Sequence, residues 1–503
     1  MKFYNTIVSY IIKKRIHQIG FFKKFPLEVQ KDVFFDLIDK GVNTEFGIKN
    51  NFKKIRSIID FKQNVKINTY DSLKPYIDRM RNGEQNILWN SEIKWFAQSS
   101  GTTAGKSKFI PVSKESIESC HYKGGKDLMS IYLNHFPDTK VLDGKSMMIG
   151  GSSSVNKFST NSYYGDLSAI IIENLPIWFS IVKTPSKEIA LHPNWEEKID
   201  KMAKVVIKEN VTNLSGVPSW NLILLRKVLK LTGKKNISEV WPNLELYIHG
   251  GVNFEPYRKQ YQELIPSKKM NYFETYNASE GFFGVQDLKD SNEMLLMLDY
   301  GIFYEFLPLE DVGTENPKTL QLNEVELDKN YALIISTNSG LWRYMIGDTI
   351  KFTNLNPFRI KLSGRTKYFI NIFGEELIED NTNEALKIAC EKTNAIANEY
   401  TIAPIFPNLE GKGAHEWAIE FEKEPKDKDF FISILDNALK AVNSDYEAKR
   451  FKSMALQLPK IHFLKPKTFY KWLKFKDKIG GQNKIPKLTS DRKTLEEILD
   501  INK

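Results

Sequence analysis

Apolar positions recur at helical spacing in four stretches. Leu27 to Lys40, which holds the run Phe34-Phe35-Asp36-Leu37-Ile38-Asp39, is one; Trp195 to Asn210, Ser219 to Leu231 and Thr382 to Thr393 are the others. Each places its apolar residues three and four apart, which predicts amphipathic helices. Between them lie short apolar runs bounded by Gly, Asn or Ser: Ser146 to Gly150, Leu244 to His249, Glu293 to Leu298, Phe303 to Leu307 and Tyr331 to Thr337. Runs of that length and character predict mostly buried strands. Helices and strands alternate without a clean period, and no repeat of roughly 20–50 residues is visible, so the pattern predicts a large multilayered α/β body rather than a solenoid or propeller. A second unit is expected after Gly364-Arg365. There a strand-like run Lys367 to Phe373, a helix, a strand near His415 to Glu420, a helix near Lys428 to Val442 and a last strand near Lys460 to Leu464 make a small α+β piece. The expected division is residues 1–368 and 369–503.

Composition narrows the class. At 503 residues with 41% hydrophobic and 27% charged, the chain is of globular type and long enough for two or three domains. Two cysteines, Cys120 and Cys390, are too few for a disulfide framework or a four-ligand zinc site, and a reducing compartment is the default. The apolar stretch Phe3 to Ile12 is broken by Asn5, Thr6 and Ser9 and closed by Lys13-Lys14-Arg15. It reads as an amphipathic first helix of a cytoplasmic protein without stable membrane insertion, with a membrane-surface anchor or leader as the alternative. The net charge of +10 raises nucleic acid as a partner, but only 11 of the 72 basic residues are Arg and they are scattered. With no nucleic-acid motif present, no nucleic acid is expected. A weakly cationic cleft for an anionic ligand fits better.

The densest chemistry lies in Gln98-Ser99-Ser100-Gly101-Thr102-Thr103-Ala104-Gly105-Lys106-Ser107-Lys108. Glycines permit close backbone approach, hydroxyls and amides donate to phosphate oxygens, and lysine supplies charge. The nucleotide-binding P-loop does not fit: its first glycine would fall at position 100, which is Ser, and an apolar strand, Phe109 to Val112, follows where a helix should. Taken alone, a polar turn explains the segment as well. Tyr276-Asn277-Ala278-Ser279-Glu280-Gly281 gathers an aromatic face, a hydroxyl and a carboxylate, a set that suits stacking on a base and placing a magnesium ion on a phosphate. Ser339-Gly340-Leu341-Trp342-Arg343-Tyr344-Met345-Ile346-Gly347-Asp348 offers a cation and, five residues on, a carboxylate able to accept from both ribose hydroxyls. Singly, Glu280 as a helix-start acid, Asp348 as a turn residue and Arg343 as a surface ion-pair partner are the plainer readings.

In this order and at these separations the three segments resemble the nucleotide-binding motifs of the auxin-responsive Gretchen Hagen acyl acid amido synthetases, within the adenylate-forming superfamily of acyl-CoA synthetases and luciferases. The resemblance spans nearly the whole chain. His249-Gly250-Gly251 resembles the glycine turn of the adenine pocket, Gly364 to Lys367 through Gly374-Glu375-Glu376 the hinge region, and Gly481 to Lys487 the terminal motif that delivers a lysine. The resemblance implies a large adenylate-forming amino-terminal domain and a small mobile lid, with ATP and magnesium as cofactors. It implies that Ser99, Ser100, Gly101, Thr102, Thr103, Gly105 and Lys108 face the nucleotide phosphates. Gly250, Gly251, Tyr276 and Ser279 would lie at the nucleotide, Tyr276 stacking on adenine. Glu280 would hold magnesium, Asp348 the ribose hydroxyls, and Lys484 and Arg343 would be the catalytic cations. Met345 stands where plant-type members usually carry Arg, and Lys367 where many superfamily relatives have Asp.

The implied reaction joins a small carboxylic acid to an amine or amino acid: the carboxylate attacks the α-phosphorus of ATP, and the amine then attacks the acyl adenylate. An acyl-CoA ligase with a thiol acceptor and a non-catalytic nucleotide-binding homologue are the alternatives. By analogy Phe158, Tyr163, Tyr164, Trp178 and Phe179 fall where an acyl-pocket wall is expected, although core packing accounts for most such aromatics. The acid, the acceptor and the oligomeric state are not written in the residues.

Overall fold

The computed structural model describes residues 14–99, 108–150, 155–175, 182–192, 194–251, 254–365, 369–370, 377–405, 413–443, 446–447, 450, 456–476, 485–489 and 492–503. The first-helix reading over Phe3 to Ile12 lies outside the described residues, and residues 14–24 are helical. Local chemistry sets the element ends. Asn194 accepts from the Glu197 N–H at 3.0 Å and so starts helix Trp195–Val206. Asp427 does the same for helix Lys428–Val442 through the Phe430 N–H at 2.9 Å. Gly233, at φ 68°, ends helix Pro218–Thr232 in the left-handed conformation that glycine adopts without strain.

Strand β1 (Trp95–Ser99) and β2 (Lys108–Val112) form an antiparallel hairpin, with Ser99 paired to Lys108. They join β4 (Asn156–Ser159) and β5 (Ser162–Gly165) in a four-stranded sheet ordered β2-β1-β5-β4. The eleven-stranded sheet begins with β3 (Lys145–Met148), β6 (Lys183–Thr184), β7 (Val211–Ser215), β8 (Leu246–Gly250) and β9 (Asn271–Ala278). It continues with β10 (Gly281–Val285), β11 (Met294–Leu296), β12 (Ile302–Pro308), β13 (Asn330–Thr337), β14 (Tyr344–Leu355) and β15 (Phe358–Arg365). The order is β12-β13-β14-β15-β11-β10-β9-β8-β7-β3-β6. Neighbours from β6 to β9 run parallel and those from β9 to β12 antiparallel. Helices Trp195–Val206 and Pro218–Thr232 share one core with the parallel strands, where Met202, Leu225, Leu214 and Tyr247 are fully buried. A larger core serves the antiparallel half and the chain before β3. At its centre the fully buried Trp342 packs on Phe52 at 4.8 Å and Trp89 at 6.1 Å.

The small unit has its own core around Leu386, Trp417 and Phe431. Strands β16 (Phe369–Ile370) and β17 (Leu377–Ile378) pair antiparallel, β18 (Ile396–Ile405), β19 (Ala414–Lys423) and β20 (Lys460–Leu464) form its sheet, and helix Glu379–Thr393 packs on helix Lys428–Val442. The fold is therefore mixed α/β, a large amino-terminal body followed by a smaller carboxy-terminal unit. The last strand of the large sheet ends at Arg365, and Ile370 already belongs to the small core. The sequence pattern misses β18 and the helices Thr468–Phe475 and Lys493–Asn502.

Candidate active site

Parallel strands present their carboxyl ends on one edge of a sheet, outside which open α/β folds place their ligands. In this chain that edge falls at β8, β9 and the turn into β10. Gly250 ends β8 so close to β9 that a Cβ would stand 2.4 Å from the Thr275 carbonyl oxygen, and Gly251 follows at φ 85°. β9 carries Tyr276, and Ser279 and Glu280 form its turn into β10. Glu280 thus caps a hairpin rather than starting a helix.

Asp348 comes from β14, four inter-strand steps from β9. In a flat sheet that is about 19 Å at about 4.8 Å per step. Yet the Tyr276 hydroxyl donates to Asp348 Oδ2 at 2.9 Å. The antiparallel half must curl round to close that gap, and it thereby brings the second and third motifs together on one cleft. Asp348 lies within β14, opposite Arg365 of β15, not in a turn. Gly347 precedes it at φ 97°.

Ser99, Lys108, Gly250, Gly251, Tyr276, Ser279, Glu280 and Asp348 all line the same cleft. Its volume of about 3340 Å³ exceeds the roughly 300–1,000 Å³ of a single-ligand pocket, leaving room for more than one substrate. Tyr276 is 3% and Asp348 7% exposed, so both are positioned by the core rather than by solvent. Lys108 Nζ lies 5.8 Å from the Tyr70 ring, whose hydroxyl accepts the Phe109 N–H at 2.9 Å and ties β2 to helix Tyr70–Arg81. Residues 100–107 join two antiparallel strands, so a strand follows where a P-loop has a helix. Ser100, Gly101, Thr102, Thr103 and Gly105 themselves lie outside the described residues, as do Lys367, Trp178, Phe179 and Lys484. Ile485, Pro486 and Lys487, which follow Lys484 directly, line the cleft.

Arg343 is not in the cleft. Its Nε and Nη2 donate to Glu305 at 2.9 Å each, Nη1 donates to the carbonyls of Val65 at 2.6 Å and Lys62 at 3.2 Å, and Nη2 also donates to Thr319 Oγ1 at 3.1 Å. All five guanidinium N–H donors are thereby used. The expected catalytic cation is a buried structural one, and no donor remains for a nucleotide. Phe158, Tyr163 and Tyr164 also leave the expected acyl wall. They sit on the four-stranded sheet, Tyr163 against Trp95 at 5.1 Å, while Arg81 is sandwiched between Phe109 at 3.6 Å and Phe158 at 3.9 Å.

Two residues escaped the sequence reading. The Tyr344 hydroxyl is buried without a partner, and burial, then the charge of Glu280, lifts the phenol well above its ordinary range. His121, equally unpartnered, lines the cleft, whereas Tyr344 does not. Neither could be found by apolar periodicity, which registers both as ordinary element positions.

Residues 15–270 match the GH3 family N-terminal domain, 295–365 its central domain and 380–493 its C-terminal domain. The chain belongs to the GH3 family. Among GH3 relatives it is 23% identical to indole-3-acetic acid-amido synthetase GH3.3 of Arabidopsis thaliana, over 92% of this chain and 89% of that one. The solved GH3.15 acyl acid amido synthetase superimposes with a TM-score of 0.77 at 17% identity, covering 95% of this chain and 93% of the other. A 2-hydroxyisobutyryl-CoA ligase with a bound acyl-AMP shares the fold at a TM-score of 0.60 and 12% identity, covering 94% and 91%. Residues 366–379 fall between the central and C-terminal GH3 matches. Among the described residues no helix is long and apolar enough to cross a membrane, and no group of three or more His, Cys, Asp or Glu is placed to hold a metal ion by itself.

Proposed function

We propose that the chain is an AMP-forming ligase that activates a carboxylic acid with ATP and transfers the acyl group to an amine or amino acid. GH3 membership sets the reaction class. The observation that supports it best at the site is the convergence of Tyr276, Glu280 and Asp348 on one cleft, with the Tyr276–Asp348 bond closing the curled sheet. On this reading Asp348 accepts from the ribose hydroxyls. Tyr276, fixed at its hydroxyl, offers its ring to adenine beside Gly250 and Gly251. Ser99, Ser279, Lys108 and the hairpin loop face the phosphates. The donor set also fits magnesium, which is commonly held by one or two carboxylates together with substrate phosphates; Glu280 is the carboxylate here, and the ion would neutralise phosphate charge.

The acid's carboxylate oxygen attacks the α-phosphorus and pyrophosphate leaves. The amine nitrogen then attacks the acyl carbon, AMP departs, and the nitrogen loses a proton. The chain needs no nucleophile of its own. Its work is to align two anions that repel each other and to offset the charge that builds on phosphorus. Lys484 bridges the carboxylate and the α-phosphate, from a segment whose next three residues line the cleft. The small unit, taken as 369–503, turns about the residues near 368 to admit the amine.

Incubating the protein with ATP, magnesium, a carboxylic-acid library and either mixed amino acids or coenzyme A tests the reading by product mass. Amide and AMP are expected; thioester in place of amide would assign a thiol acceptor instead.

A further inference from the structure

His121 is a polar ring that the proposed chemistry does not use. It closes the π-helical turn Ser116–His121 and leads into helix Tyr122–His135; such turns are frequent at functional sites. It is 5% exposed, it lines the cleft, and neither of its ring nitrogens has a hydrogen-bond partner. Burial pulls its pKa from 6.5 down to about 4, so at neutral pH the ring carries one N–H donor and one bare acceptor nitrogen. Buried polar atoms are nearly always paired. The ring stands on the wall of the cleft, where a polar group of a bound substrate would pair one of these nitrogens.

The ring is held there by its surroundings. The Phe282 N–H donates to Cys120 Sγ at 3.1 Å, and a Cβ on Gly124 would lie 2.6 Å from the Phe282 ring, so the turn is clamped to β10 two residues past Glu280. Tyr122 donates to the Ile171 carbonyl at 3.3 Å, drawing helix Leu167–Glu173 alongside. Leu128, Ile171, Ile172 and Phe282 line the same cleft. A charged substituent would lose its hydration there to a neutral ring that returns little. A carbonyl substituent suits only the protonated nitrogen. A hydroxyl both donates and accepts, and so it matches either tautomer.

We propose that His121 is a specificity-determining residue of the acyl subsite, hydrogen-bonding a hydroxyl on an otherwise apolar chain, so that the preferred substrate is a hydroxylated carboxylic acid. This rests on the ligase reading above.

The test compares phenylacetate, phenylpropionate and octanoate with their monohydroxylated isomers, by kcat/KM for pyrophosphate release, in wild type, His121→Phe and His121→Gln. Wild type is expected to favour at least one hydroxylated isomer over its parent by about tenfold, the worth of one well-made hydrogen bond. His121→Phe should erase that preference while still using the parent acid, and His121→Gln, which keeps a donor and an acceptor, should restore part of it. Equal preference in wild type and His121→Phe, or no preference in wild type, overturns the proposal and leaves the ring paired with water only. Should no acid release pyrophosphate, the ligase reading fails separately. Imidazole nitrogen resonances of the histidine-labelled protein then decide: the His121 signal, identified by its loss in His121→Gln, should move with a hydroxylated acid and not with its parent. An unmoved signal overturns the proposal by itself.

Discussion

Replacing Arg343 by Met separates a structural cation from a catalytic one. Arg343 is 5% and Glu305 1% exposed, and the two share a bidentate pair that also engages Thr319. Removing the guanidinium strands the Glu305 carboxylate in the core and leaves the Val65 and Lys62 carbonyls without their donor. Breaking one side of such a pair costs about 3–5 kcal/mol, a large share of the roughly 5–15 kcal/mol that holds a domain together. The expected result is a marked fall in the urea midpoint followed by intrinsic fluorescence. At a temperature where the variant stays folded, the kcat for pyrophosphate release should stay within about threefold of wild type. Adding Glu305→Leu should recover part of the lost stability, since no charge is then left unpaired. A variant as stable as wild type, or a folded one that has lost about a hundredfold or more in kcat, would refute the structural assignment and return Arg343 to the chemistry.

Other substitutions probe the cleft and the small unit. Asp348→Asn keeps the size but removes the charge offered to ribose, so the KM for ATP should rise about tenfold or more while the fold, followed by circular dichroism, is unchanged. Gly250→Ala places a Cβ 2.4 Å from the Thr275 backbone oxygen, which cannot rotate away; a loss of about 1–3 kcal/mol in chemical denaturation is expected. In the small unit, burial pushes the Glu416 carboxyl up, but hydrogen bonds from His462, Lys460 and Arg492 outweigh it and hold the group at about 2 instead of 4.5. Because the folded value is the lower one, this stabilisation is complete above pH 4.5 and is lost as the pH falls from there toward about 2. Glu416→Gln should flatten the acid limb of the stability profile in that window.

Much of the fold is legible in apolar periodicity. Helix Lys428–Val442 and β20 fall where the pattern puts them, because an amphipathic face and a clean cap at Asp427 leave little choice. Strand β18 is hidden because Asn398, Glu399 and Pro404 interrupt its apolar run, and its pairing with β19 is a tertiary fact. The site is legible as three chemical motifs but not as a geometry. Tyr276 and Asp348 meet only because the sheet curls, which no local window contains. Arg343 shares a motif with Asp348, yet it stands just before β14 at φ 43° and its guanidinium turns to Glu305, while Asp348 lies within the strand beyond Gly347 at φ 97°. His121 and Tyr344 become conspicuous only when burial and missing partners are known.

Acid-dependent exchange of labelled pyrophosphate into ATP, with wild type, Asp348→Asn and Lys484→Ala side by side, tests adenylate formation in this cleft directly. Exchange is expected only when a suitable carboxylic acid is present, and it should fall by about a hundredfold or more in Lys484→Ala with ATP binding retained. Exchange that needs no acid, or that proceeds at the wild-type rate without Lys484, would contradict this reading.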